Sequence, residues 1–257
     1  MKILVCVAAA AMFTASAMGA TLSISIGVRE TGFSGGADNG IGGNGGATGG
    51  IEFINLDGLT LILNGTWQQF SFDVSNSQLN GQVTPFAGAT ANGILEGNYG
   101  TLEHIRIRSN GNTEPISLWI DDVVNTIDPP GPAPPQSVLI GNGFEGFADG
   151  TQVMFRDPGF SGSTTANVLA GSTSGVDSSM FLNGAASYGV DFEFVDNDPA
   201  RWVRLTTFSA LNVPNPIVRF DQSSVVSFWM KGVPEPSTLV LLGLSGLSPR
   251  RGRRRKK

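Results

Sequence analysis

Apolar and polar residues alternate with a period of two in stretch after stretch of this chain. Leu22, Ile24, Ile26 and Val28 alternate with Ser23, Ser25, Gly27 and Arg29; Phe70, Phe72 and Val74 alternate with Gln69, Ser71 and Asp73. Ile105 and Ile107 are flanked by His104, Arg106 and Arg108, and Ile116, Leu118 and Ile120 by Ser117, Trp119 and Asp121. Val203 and Leu205 sit between Trp202, Arg204 and Thr206, and Val226, Phe228 and Met230 between Ser227, Trp229 and Lys231. Successive side chains of a strand point to opposite faces, so the pattern predicts half-buried antiparallel strands. Gly, Asn and Asp turns separate them, and no stretch shows a convincing period of 3.6. The fold class expected is all-β, an antiparallel β-sandwich.

The two ends break this pattern. Lys2, an apolar run from Ile3 to Phe13 and small residues from Thr14 to Ala20 make residues 1–20 a secretory signal, with cleavage after Ala17, Gly19 or Ala20. Such a segment implies the secretion translocon as a partner. At the other end, Val233, Pro234, Glu235, Pro236, Ser237 and Thr238 precede an apolar run, Leu239 to Leu247, and a basic cluster. The two prolines make a rigid break that neither continues a strand nor starts a helix before the second. The cluster suits anionic headgroups on the cytoplasmic side of a membrane. The run itself is short: nine helical residues span roughly 13 Å against roughly 30 Å of hydrocarbon.

Between the ends, the proline-rich segment 128–136 divides the body into 21–127 and 137–232, with no good repeat across it. Residues 32–50 hold ten glycines and no lysine, which excludes a phosphate-binding Walker loop and reads as a surface loop.

Charge narrows the function. Of the 257 residues, the last eight carry seven of the sixteen Lys and Arg. From Thr21 to Val233 there are eight basic and twenty acidic side chains, leaving the body at −12. That balance excludes nucleic acid as a partner, because phosphates call for a basic surface. Cys6, within the signal, is the only cysteine, so disulfide and thiol chemistry are not expected of the mature protein.

Residues 233–257 resemble the PEP-CTERM sorting signal of exported proteins in Gram-negative bacteria, in the order motif, apolar run, basic cluster. The resemblance implies exosortase-type sorting machinery as a partner, transient anchoring in the inner membrane, tail removal, and a destination at the cell surface or in the extracellular matrix. The body resembles carbohydrate-binding-module-like jelly rolls. Gly143-Phe144-Glu145-Gly146-Phe147 is similar to that fold's first strand, Ser227 to Gly232 to a middle strand, and Leu118 to Val123 to its last strand. Read as 137–232 followed by 21–127, the pieces make one ordinary jelly roll, so one circularly permuted domain built from both halves is expected. The rival is two incomplete domains or a gene fragment.

The same resemblance implies a structural Ca²⁺ held by Asp121, Asp122 and Glu145; the alternative is solvated strand-end charges. A second acidic group, Asp191, Glu193, Asp196 and Asp198, is explained equally well by a strand face and a turn. Trp119, Trp202 and Trp229 fall in the polar register of their strands, as do Arg29, Arg106 and Arg204, and they are the candidates for binding polysaccharide on one concave face; the alternative is structural aromatics and solvated arginines. His104 is the only histidine, on an outer strand face without a nucleophile elbow, so no catalytic residues are assigned and the protein is expected not to be an enzyme. The expected function is a non-catalytic, surface- or matrix-directed glycan-binding protein. The alternatives are a secreted glycan hydrolase and a purely structural matrix protein.

Overall fold

The computed structural model describes residues 20–30, 50–75, 82–88, 90–96, 99–128, 136–139, 143–207, 217–220 and 223–234. The signal up to Gly19, most of the glycine-rich segment, Pro129 to Pro135 and the tail from Glu235 onward lie outside these residues.

The described residues form antiparallel strands in two packed sheets, a β-sandwich, with a short 3₁₀ turn at Thr165–Asn167 and no α-helix. In chain order the strands are β1 (Thr21–Arg29), β2 (Ile51–Ile62), β3 (Gln68–Asp73), β4 (Val83–Ala87), β5 (Tyr99–Ser109) and β6 (Ile116–Asp128). They continue with β7 (Gln136–Leu139), β8 (Thr173–Asp177), β9 (Ser187–Phe192), β10 (Trp202–Thr206), β11 (Ile217–Arg219) and β12 (Ser223–Pro234). Each stretch with period-two alternation falls within a strand or ends beside one.

The first sheet runs β10-β5-β1-β2-β4, with β11 also on β5; the second runs β3-β12-β6-β9-β8, with β7 also on β6. Strands from both sides of the proline segment therefore share both sheets: β10 and β11 complete the first, and β12 lies between β3 and β6 in the second. The inward register of one sheet (Leu22, Ile24, Ile26, Ile105, Ile107, Val203, Leu205) meets that of the other (Phe70, Phe72, Leu118, Ile120, Tyr188, Val226, Phe228) in a single core. Each such side chain contributes about 1.5–3 kcal/mol of burial, and that burial sets the facing of the strands.

The outer faces differ. Along β1 every residue from Leu22 to Val28 is buried, polar ones included, whereas β3 and β12 keep the simple alternation of buried and partly exposed positions. The expectation of half-buried strands thus fits the second sheet and understates the burial of the first.

Candidate functional site

On the outer face of the first sheet, register alone aligns Ser25, Arg106 and Arg204 across β1, β5 and β10, and next to them Ser23, Arg108 and Trp202. A β-bulge adds a member. The pairing jumps from Gly27↔His104 to Val28↔Leu102, leaving Glu103 as the extra residue. A bulge re-aims side chains, and Glu103 meets the outward Arg204 rather than the apolar core. Arg204 donates Nη2 and Nε to the two Glu103 carboxylate oxygens, Arg29 lies 3.8 Å from Oε1, and His104 Nδ1 donates to Oε2.

The rest of this face is aromatic. His104 packs among Phe53, Phe86 and Trp202 at centroid distances of 5.4, 5.9 and 6.1 Å. Arg106 stacks on Phe53 and Trp202, and Arg204 on Phe86. Gly27 lies under the imidazole, and a Cβ there would come within 1.9 Å of the ring. Burial opposes charge on Arg29, Glu103, His104 and Arg106. It presses His104 down despite Glu103, and presses Arg106 down to about 10 with help from Arg108. For Glu103 burial is outweighed by its partners, His104 and the guanidinium groups of Arg204 and Arg29, which hold it below the usual carboxylate range.

Trp119 and Trp229 lie in the second sheet, on β6 and β12, so the six expected glycan-binding residues do not share one face. Arg29, Arg106, Arg204 and Trp202 come together; the two tryptophans form a separate, half-exposed group. Lys231 stands opposite Trp119, and Asp121 opposite Trp229. Trp119 Nε1 donates to Asp177 Oδ2 at 2.7 Å, reaching over β9, whose Gly189 is its cross-strand neighbour. Lys231 Nζ is 6.0 Å from the Trp119 ring centroid. Next to this group lies an open trough of about 500 Å³ lined by Asp149, Gln152, Asp157, Asp177 and Asp191 over Gly175 and Gly189.

Asp121, Asp122 and Glu145 also converge, on the turn 182–186. The β6–β12 register shifts here, and Asp122 takes a left-handed φ of 48°. Asp121 Oδ2 accepts from Leu182 N–H at 2.8 Å and Asn183 N–H at 3.2 Å, and its Oδ1 from Asp122 N–H. Asp122 accepts from the Asn183 side-chain amide, and Glu145 Oε1 from Ala185 N–H at 2.9 Å and Ala186 N–H at 3.3 Å. Gly184, at φ 72°, is required here, since a Cβ would come within 2.1 Å of Glu145 Oε1. The carboxylates thus clasp a turn by its N–H donors, groups that face away from cations. Among the described residues no three carboxylate or imidazole groups are placed to share a metal ion.

The acidic run 191–198 is likewise engaged with protein groups. Asp191 accepts from Ser117 Oγ at 2.6 Å, and Asp196 pairs with Arg201 at 2.7 Å, whose hydrogen bonds pull its carboxyl down to about 2. One acidic group was not legible in the sequence. Glu30, at the end of β1, is fully buried; its Oε1 accepts from Glu96 N–H at 2.6 Å, and its Oε2 has no partner among the described residues. Burial, with Glu52 and Glu96 nearby, raises it to about 7.

Ala20 and Gly232, near the first and last described residues, are held by one turn. The turn after β2 donates Leu63 N–H to Ala20 O at 2.8 Å and Gly65 N–H to Gly232 O at 2.9 Å. Val233 and Pro234 are the last residues of β12, paired with Ser117 and Ile116, while Glu235, Pro236, Ser237 and Thr238 lie outside the described residues. Among the described residues no helix is long and apolar enough to cross a membrane.

Residues 232–256 match the family model of the PEP-CTERM protein-sorting motif. The motif marks an exported protein that is anchored transiently in the membrane and sorted by exosortase machinery. No curated protein and no solved structure matches the chain.

Proposed function

We propose that the protein is a non-catalytic, surface- or matrix-directed β-sandwich that binds polysaccharide on the outer face of its second sheet. The carrying observation is the half-exposed pair Trp119 and Trp229, with Lys231 and Asp177 beside them and the trough alongside. A flat aromatic surface takes the apolar face of a sugar ring, and planar carboxylates take its hydroxyl protons. His104 supports the non-catalytic reading: it is fully buried, its Nδ1 is engaged by Glu103, and aromatic rings enclose it. We also read the domain as a circularly permuted jelly roll. In its favour, β7 pairs with β6, so the strands joined by the proline segment are neighbours, and Ala20 and Gly232 bond to the same turn, so the described body begins and ends at one place, where permutation is tolerated.

The test is retention of the secreted protein on insoluble neutral polysaccharides, compared with the double variant Trp119→Ala, Trp229→Ala. Retention lost in the variant supports the reading. Equal retention of the two proteins, retention of neither, or release of sugar from the polymer by the wild type overturns it.

A further inference from the structure

We propose that the outer face of the first sheet is a second binding site, specific for the acidic group of a sugar: a carboxylate or a sulfate. This goes beyond the platform on the second sheet and does not depend on it. Four guanidinium groups gather there, Arg29, Arg106, Arg108 and Arg204, in a body whose net charge is −12. Glu103 acts on Arg29 and Asp57 on Arg106, while Arg29 with Arg204 and Arg106 with Arg108 repel one another. Burying like charges together is costly unless an anion neutralises them.

The hydrogen-bond inventory points the same way. Arg108 Nε and Ser25 Oγ are buried without a partner among the described residues, and Ser25 stands directly opposite Arg106 on the neighbouring strand. An arginine Nε–H can only donate and a serine hydroxyl can donate, so the unmatched groups call for an acceptor. Buried unmatched donors are uncommon enough in folded proteins to point to an absent partner. A carboxylate or sulfate supplies acceptors in the geometry that guanidinium groups favour. His104 adds a complementary group. Its Nδ1 proton is held by Glu103, which leaves Nε2 as an unpartnered acceptor among Phe53, Phe86 and Trp202. An acid group, a hydroxyl to donate and a flat apolar face together describe an acidic sugar residue.

The experiment is isothermal titration of the secreted protein with oligogalacturonate, with a neutral galactose oligomer of the same length and with inorganic sulfate. Oligogalacturonate is expected to bind, to weaken as NaCl is raised, and to lose about tenfold in affinity in Arg108→Gln. The affinity should hold in the Trp119→Ala, Trp229→Ala double variant. Ser25→Ala, which leaves every charge in place, should weaken binding as well, and it covers the case in which Arg108→Gln folds poorly. Sulfate binding with the same variant response would assign the site to a free oxyanion and keep the chemistry. The proposal is overturned if neither acidic probe binds, if the neutral oligomer binds as well as the acidic one, or if the tryptophan variants rather than Arg108→Gln and Ser25→Ala remove the acidic binding.

Discussion

The two outer faces of this sandwich carry similar residue types at the same strand positions, yet they have become different surfaces. On the first sheet Arg106 and Arg204 are 8 % and 7 % exposed, Glu103 and His104 are fully buried, and neighbouring aromatics pack over the charges. On the second sheet Trp119, Trp229 and Lys231 remain half-buried beside an open trough. An outward register position is therefore not equivalent to a solvent-exposed one. Residues that fold back over a face draw its charges into mutual pairing, while an uncovered face keeps its side chains in water.

The largest effect expected from breaking this contrast is at Glu103. Replacing it with Ala leaves Arg29 and Arg204 buried without their shared carboxylate, and urea unfolding should show a loss of about 3–5 kcal/mol. A loss below about 1 kcal/mol would mean that the first face behaves like an ordinary surface. Next comes Glu30, at the margin of the same sheet. Its folded-state pKa of about 7 lies above the usual 4.5, so between those values the folded protein holds a proton that the unfolded chain has released. Stability should be fully present below pH 4.5 and fall as pH rises toward 7, by about 2 kcal/mol after allowance for solvent. Denaturation midpoints measured across that range should flatten in Glu30→Gln.

Smaller effects are expected on the open face. Asp177→Asn removes the charge that accepts the Trp119 indole proton and should cost about 1 kcal/mol, with a shift of tryptophan emission as the spectroscopic check. Smallest in stability should be Trp229→Ala, within about 1 kcal/mol, while retention on polysaccharide drops. If Trp229→Ala instead unfolded the domain as Glu103→Ala is expected to, the contrast between a tightly paired face and an open one would fail.

Much of the fold was legible because strand periodicity is local. Alternation in 22–28, 69–74, 104–108, 116–121, 202–206 and 226–231 located six strands and assigned their inward residues. The shorter or less regular strands, such as β4 with its Pro85 and β8 with its Gly175, gave no such signal. Of the candidate residues, Arg29, Arg106, Arg204 and Trp202 met on one face because their strands adjoin, and Trp119 and Trp229 separated from them because theirs do not. Glu103 was missed for a specific reason: strict alternation would have aimed it into the core beside Leu102 and Ile105. A carboxylate in an apolar register was the available hint of a bulge. Asp121, Asp122 and Glu145 converge on one turn, and which groups meet their oxygens was decided by the path of residues 182–186.

The sequence by itself determined that the chain makes antiparallel strands with one apolar face each, that its body is acidic, and that its end carries a sorting motif. All three follow from side-chain chemistry within a few neighbouring positions. Only the tertiary structure decided which strands lie side by side, which outer face is covered, and that Arg204 reaches Glu103 across 101 positions of chain. Adjacency and coverage depend on long-range packing and on single inserted residues in a ladder, and no local pattern of apolar and polar residues records either one.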